Sequence, residues 1–353
     1  MEIQRHHHLN ELEPQEWDQL AVASSPSTVF QTHAWHQAWV DAFGEEHELL
    51  LFAAREGGQL VGVAPLCMAN NRAVRFIGHG SSDYMDLLVA PGRGDVREAL
   101  WRHVLDAARG WRRLELRCLQ ADSPSIAALR SLPARGQLSP PTSCPSLRVS
   151  SDMNLQHVRQ SNRVERAVRW FMKREGFGVA HERAPSAIHA VLDGLFEQHR
   201  RQWSGTATPS LFEQPVQERF FRAVTDRLGP DGSVRCSRLM VEDEAPAHHF
   251  GFIHHKTATY YKPCYDAAWA QRSPGVALLG ALFDHARDEG LTEFDFGFGA
   301  EPYKLQFSNS ARSCLHATFY ASVVEYGVAK AARAGKDLLR PLVSRVRASA
   351  RRS

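Results

Sequence analysis

The chain has 353 residues, 43 % of them hydrophobic and 23 % charged, with a formal net charge of +3. That length exceeds what one hydrophobic core usually organises, and the composition excludes disordered, fibrous and collagen-like classes, so two globular domains are expected. The small net charge excludes a uniformly basic nucleic-acid-binding surface, and apolar runs such as Val276–Phe283 are too short to cross a bilayer. The opening MEIQRHHHLNELEPQEW has no apolar core and does not read as a signal peptide, so a cytoplasmic location is expected. Cys67, Cys118, Cys144, Cys236, Cys264 and Cys314 form no CxxC and no tight cluster. This spacing fits a reducing compartment and predicts neither a metal site nor a disulfide framework.

Along the chain, Leu49–Ala54 and Leu60–Met68 flank Gly57-Gly58 and predict a hairpin. Tyr84–Val89 reads as a further strand, Val96–Arg109 as a helix and Leu114–Leu119 as a buried strand. A Pro- and Ser-rich stretch, Ser131–Ser151, then separates the halves and is followed by a basic helix, His157–Glu175, and a second helix, Ser186–Trp203. Arg159, Arg163 and Arg166 share a flank of the basic helix, either as a solvated face or as the wall of an anionic groove for phosphate, nucleotide or tRNA.

The first order of elements then returns. Arg238–Glu242 and His249–His254 predict a hairpin, Thr257–Lys262 a third strand, Val276–Asp288 a helix and Glu293–Phe298 a strand. The closing pieces match in kind, each being a helix end, a short turn and a buried strand containing an acid: Glu115 in the first, Asp295 in the second. One long repeat period implies a duplicated domain rather than a solenoid. We divide the chain into residues 1–150, 151–322 and a tail from 323 to 353. The tail carries an excess of six positive charges with Leu338, Leu339, Leu342, Val343 and Val346 at helical spacing. Such a helix either packs one face on the protein or lies on an anionic membrane surface.

The sharpest local feature is Arg272-Ser273-Pro274-Gly275-Val276-Ala277-Leu278, after a strand and at the start of a helix. A glycine here lets backbone approach a ligand, and first-turn N–H groups with the helix dipole favour an anion. The same residues also make a plain N-cap with proline at the first helical position. In the first repeat the loop is Pro91-Gly92-Arg93-Gly94-Asp95, whose acid stands where the anion would sit. Donor binding is therefore expected in the second half alone. His248 and His249 lack a third ligand at useful spacing, which again predicts no metal.

Tyr260-Tyr261-Lys262, Tyr265-Asp266, Ser273-Pro274-Gly275, Phe294-Asp295-Phe296 and Gly299-Ala300-Glu301-Pro302-Tyr303-Lys304 resemble the acetyltransferase domain of CelD/BcsL-type polysaccharide-biosynthesis proteins, members of the GNAT superfamily. Phe30-Gln31-Thr32, Val61–Leu66, Ser82–Asp86 and His199–Trp203 resemble the same family, and the likeness spans about Phe30 to Tyr320. More distantly the chain resembles FemAB-type aminoacyltransferases, which also carry two GNAT-type halves. The resemblance implies an α/β chain of tandem GNAT-type halves, each a mixed, mainly antiparallel sheet flanked by helices. It implies acetyl-CoA or another acyl-CoA as co-substrate, with Arg272–Leu278 at the pyrophosphate and the sheet splayed between Thr257–Lys262 and Glu293–Phe298. Tyr303 would protonate a departing thiolate, Lys304 would supply positive charge, and Glu301 or Asp295 would serve as base. Asp83, Asp86, His199, Trp203, Tyr261 and Tyr265 are the expected acceptor contacts. The acceptor would be an amine or hydroxyl of a sugar or polysaccharide precursor, with charged tRNA as donor under the FemAB-like alternative. A non-catalytic scaffold in polysaccharide synthesis is the third reading.

Overall fold

The computed structural model describes residues 1–24, 27–131, 135–150 and 162–332. The first half opens with β1 (Glu2–His6) and the helices α1 (Pro14–Ala23) and α2 (His33–Phe43). The hairpin β2 (His47–Glu56) and β3 (Gln59–Ala69) follows. Its turn places Gly57 and Gly58 at φ +58° and +83°, the left-handed geometry that a two-residue hairpin loop demands. β4 (Ala73–Phe76) pairs antiparallel with β3 and parallel with β6 (Arg113–Gln120). α3 (Gly94–Ala107) crosses between them, with α4 (Pro124–Arg130) after β6, and Val96 and Leu100 press so closely on Gly62 that no Cβ would fit there.

The second half repeats this plan. After α5 (Asn162–Met172), β9 (Gly178–Glu182), α6 (Pro185–Trp203) and α7 (Pro215–Leu228) comes the hairpin β10 (Val234–Val241) and β11 (Glu244–His254). β12 (Thr257–Tyr265) pairs antiparallel with β11 and parallel with β13 (Glu293–Asp295), with α8 (Pro274–Asp288) as the crossover. The third strand of the first repeat is therefore β4, not the expected Tyr84–Val89. Of that stretch only Leu88–Val89 is extended against β3, as β5, because Tyr84 sits at φ +56° in a loop already turned by Gly78 and Gly80. The basic helix is described from Asn162 onward, so Arg159 and the side chain of Arg163 lie outside the described residues, as does the tail from 333. The described part of α5 turns Val164, Ala167 and Phe171 into the core beneath α8.

Among the described residues, fourteen strands form one sheet, and the chain exchanges strands across its centre. β8 (Thr142–Arg148), from the end of the first half, pairs with β13 of the second. β14 (Ser310–Tyr320), after the second half, returns to pair with β6 of the first, on its other side lying against β8 and β7 (Arg135–Leu138). The halves also share a core. Trp35 of α2 is fully buried, edge-on to Phe220 of α7, Phe252 of β11 and Tyr261 of β12, with ring centroids 5.3, 5.4 and 5.9 Å away. Among the described residues no helix is long and apolar enough to cross a membrane.

Candidate active site

The parallel pair β12–β13 holds for three register positions, Thr257 to Glu293, Ala258 to Phe294 and Thr259 to Asp295. Beyond them the strands diverge. The register between β11 and β12 also shifts, Phe250 facing Lys262 but Phe252 facing Thr259, so that Tyr260 and Tyr261 share one partner position in a β-bulge. Gly251 stands opposite the bulge, and a Cβ there would meet the Thr259 carbonyl oxygen at 2.5 Å. The bulge and splay let Tyr260, Tyr261 and Lys262 all face one opening, which the alternation of a regular strand forbids.

That opening holds two adjoining cavities. One, of about 430 Å³, runs from the Gly80–Asp83 loop of the first half to Lys262, His199, Phe298 and Lys304 of the second. The other, of about 310 Å³, lies against the start of α8 and is lined by Gln202, Cys264, Tyr265, Ser273, Gly275 and Val276. Trp203, Tyr260, Pro263 and Tyr303 line both, so Tyr303 stands where the cavities meet.

At the smaller cavity α8 begins with Pro274, its N-cap Ser273 held left-handed at φ +55°. The Ser273 carbonyl accepts from the N–H groups of Val276 and Ala277 at 3.0 and 3.1 Å. Ser273, Pro274, Gly275 and Val276 line the cavity, whereas Ala277 and Leu278 turn into the core. The Arg272 guanidinium lies over Trp170, 4.7 Å from the ring centroid, with Arg174 at 3.9 Å from the same ring, and it does not line the cavity. In the first half the matching helix start is self-satisfied. Arg93 bonds both Asp95 and Glu56, and this contact holds the Asp95 carboxyl down at about 2.

At the larger cavity, Lys304 Nζ donates to the Phe298 carbonyl at 2.9 Å and pairs with Glu301 at 3.0 Å. Asp83 accepts from the Phe298 N–H at 3.1 Å, so a first-half carboxylate fixes the loop after β13. His199 contacts the Ser210 hydroxyl at 2.8 Å and stacks on Trp203, and burial pulls its imidazole down to about 4, so it is neutral at pH 7. The Tyr261 hydroxyl donates to the Ser81 carbonyl at 2.7 Å, another bond between the halves. Burial and the nearby Glu301 carboxylate push the Tyr303 phenol up to about 12.

Besides Arg272, Ala277 and Leu278, the expected Asp295 and Asp86 also stand apart from the cavities. Asp295 is buried behind β13, accepting from Tyr84 at 2.7 Å, Arg312 at 2.5 Å and the Gly297 N–H at 2.7 Å. Burial raises its carboxyl to about 6 against the opposing pull of Arg312. With its oxygens so occupied it positions the loop and does not face the opening. Asp86 is likewise enclosed, bonded by Ser123, Ser125 and Arg97 in the first half. Tyr265 lies on the α8 side rather than among the larger cavity's residues. The sequence reading missed Lys262 and the Gly80–Ser82 backbone. Lys262 stood in the quoted Tyr260-Tyr261-Lys262 motif but was given no role, since regular strand alternation does not show which way it faces, and the loop's role depends on a second half that no local signal places beside it. Among the described residues no group of three or more His, Cys, Asp or Glu is set to hold a metal.

Residues 158–305 match the family model described as the acetyltransferase (GNAT) domain. No curated protein matches the sequence. Among solved structures, FemX is similar at a TM-score of 0.62 and 12 % identity, covering 93 % of this chain and 99 % of its own. L-PGS from Bacillus licheniformis is similar at 0.59 and 11 %, covering 90 % and 94 %. A tandem GNAT protein from the clavulanic acid biosynthesis pathway is similar at 0.53 and 14 %, covering 90 % and 98 %. The chain thus has the mixed, mainly antiparallel fold of tandem GNAT proteins, and its residues 158–305 match the GNAT acetyltransferase domain.

Proposed function

We propose that the chain is an acyltransferase that takes an acyl group from acyl-CoA and delivers it to an amine or hydroxyl, the acceptor being a sugar or cell-envelope polysaccharide precursor. The observation that carries this reading is the pair of cavities that meet at Tyr303, one beside a helix N-terminus and one lined by polar groups of both halves. The co-substrate supplies a thioester. The Gly275 backbone and the first turn of α8 favour its phosphates, and the splay between β12 and β13 admits the acyl arm. Attack by the acceptor forms a new bond to the carbonyl carbon, breaks the carbon–sulfur bond and moves one proton from acceptor to thiolate.

A phenol at about 12 is a far weaker acid than a thiol at ~8.5, so Tyr303 serves by donating a hydrogen bond to the developing thiolate rather than by giving up its proton. Glu301 is the carboxylate on the larger cavity placed to receive the acceptor's proton, with Lys304 holding it at 3.0 Å. Tyr303→Phe is expected to lower kcat by about 10- to 100-fold, the worth of one hydrogen bond to a charged group, with acetyl-CoA affinity nearly unchanged. An unaltered kcat in steady-state assays removes Tyr303 from the mechanism.

The likeness to FemX and L-PGS favours a second reading, transfer of an aminoacyl group from charged tRNA in cell-envelope synthesis. The basic face of α5 would then contact tRNA. Calorimetric titration with acetyl-CoA, free CoA and aminoacyl-tRNA separates the two. Binding of acetyl-CoA supports the first reading; salt-sensitive binding of charged tRNA alone supports the second.

A further inference from the structure

The larger cavity holds four charged side chains, and three of them are accounted for. Lys304 is taken up by Glu301 and the Phe298 carbonyl, which also accounts for Glu301. Asp83 accepts from the Phe298 N–H and, at 3.7 Å, from the Cys118 thiol. Lys262 is left. Among the described residues its amine makes no hydrogen bond and no ion pair, and its contact is with the face of Tyr261, 4.5 Å from the ring centroid. The neighbouring His199 is neutral and offers it no counter-charge.

We propose that Lys262 is the specificity-determining residue for an acceptor that carries an anionic group, a carboxylate or a phosphate, next to its reacting amine or hydroxyl. This rests on the larger cavity being the acceptor site. A half-buried ammonium without a hydrogen-bond partner among the described residues loses part of its hydration, and a ligand anion restores what burial removes. Burial lowers the amine's pKa, Lys304 adds to this, and Asp83 opposes it, so the cation is poised to be stabilised by one further negative charge. The aromatic face beneath it and the Gly80–Ser82 loop beside it leave the cavity side of the amine as the direction from which that charge arrives. Lys262 lies on the larger cavity and not on the smaller, so the assignment concerns acceptor and not donor.

The test measures the rate at which an amine-acylating reagent labels Lys262 in the full-length protein, followed by peptide mass spectrometry, with exposed Lys256 as internal reference. Inorganic phosphate and acetate are the two probes, at millimolar concentration. The expected result is that at least one slows Lys262 labelling about fivefold or more while Lys256 is unchanged, since an anion favours the unreactive ammonium. Protection by phosphate alone identifies a phosphorylated acceptor, and by acetate alone a carboxylated one. Protection by neither, or equal slowing of both lysines, overturns the proposal. Acetyl-CoA binding is measured on the same samples. Intact donor binding without protection defeats the Lys262 assignment only; protection without donor binding defeats the acyl-CoA reading only.

Discussion

Gly275→Glu is expected to abolish acetyl-CoA binding while leaving the protein as stable as before, or more so. A Cβ at Gly275 meets Tyr265 Cδ1 at 3.6 Å, an ordinary contact, and the residue sits in the first turn of a fifteen-residue helix. Glycine is a poor helix residue by ~0.5–1 kcal/mol, and a carboxylate near a helix N-terminus gains a further ~0.3–1 kcal/mol. The same carboxylate occupies the position proposed for the donor's phosphates and repels them. We expect an affinity loss of about 100-fold or more, some 2.7 kcal/mol, by calorimetry. Gly275→Ala, which adds bulk without charge, should retain most of the binding. If Gly275→Glu binds normally, the donor lies elsewhere and the helix start is only a cap.

The second large effect is on stability in mild acid. Burial pulls His36 and His248 down to about 4 and His249 to about 3. His248 Nδ1 donates to Gln198 Oε1 at 2.8 Å, while both ring nitrogens of His249 are buried without a hydrogen-bond partner among the described residues and its ring stacks on Tyr260. Each folded-state value lies below the ordinary 6.5, so between about 4 and 6.5 the unfolded chain binds more protons than the folded one. Stability is therefore full above that window and lost as pH falls through it. Each such group contributes up to ~1.4 kcal/mol per pH unit, so the three together give a slope approaching ~4 kcal/mol per unit. Denaturant midpoints measured from neutral pH down to about pH 5 should fall steadily. A flat profile over that range would mean that these imidazoles are solvated in the folded state.

Much of the plan was legible because it is written locally. The Gly57-Gly58 turn, the Ser273-Pro274 helix start and the repeated order of hairpin, strand, helix and strand each depend on neighbours in sequence. The splay between β12 and β13 followed from the family resemblance and is present in their three-pair register. What was not legible depends on distant chain. Asp83 and Asp86 are three apart in one loop, yet the left-handed turn at Tyr84 sends one to the cavity and the other to Ser123 and Ser125. Asp295 reads as an acid among aromatics, and only the approach of Arg312 and Tyr84 reveals it as a brace. Its counterpart Glu115 is similarly held by Arg75 and Arg113, which marks the acid as part of the repeat's architecture rather than of its chemistry. Lys262 faces the opening because a bulge turns the strand, and nothing in the alternation of Thr257–Tyr265 announces a bulge.

The returning strand β14 has a consequence for how the protein is made. Its partners on β6 were synthesised some two hundred residues earlier, with Tyr320 meeting Arg113 and Cys314 meeting Gln120. A nascent chain that has not yet emerged past Ser310 therefore presents β6 and β8 as raw edges facing a gap, the kind of surface that recruits strands from other chains. The first half stays incomplete until β14 has been made. Its folding is thereby tied to a strand that follows the second half, and termination before Ser310 yields not one good half but two unfinished ones.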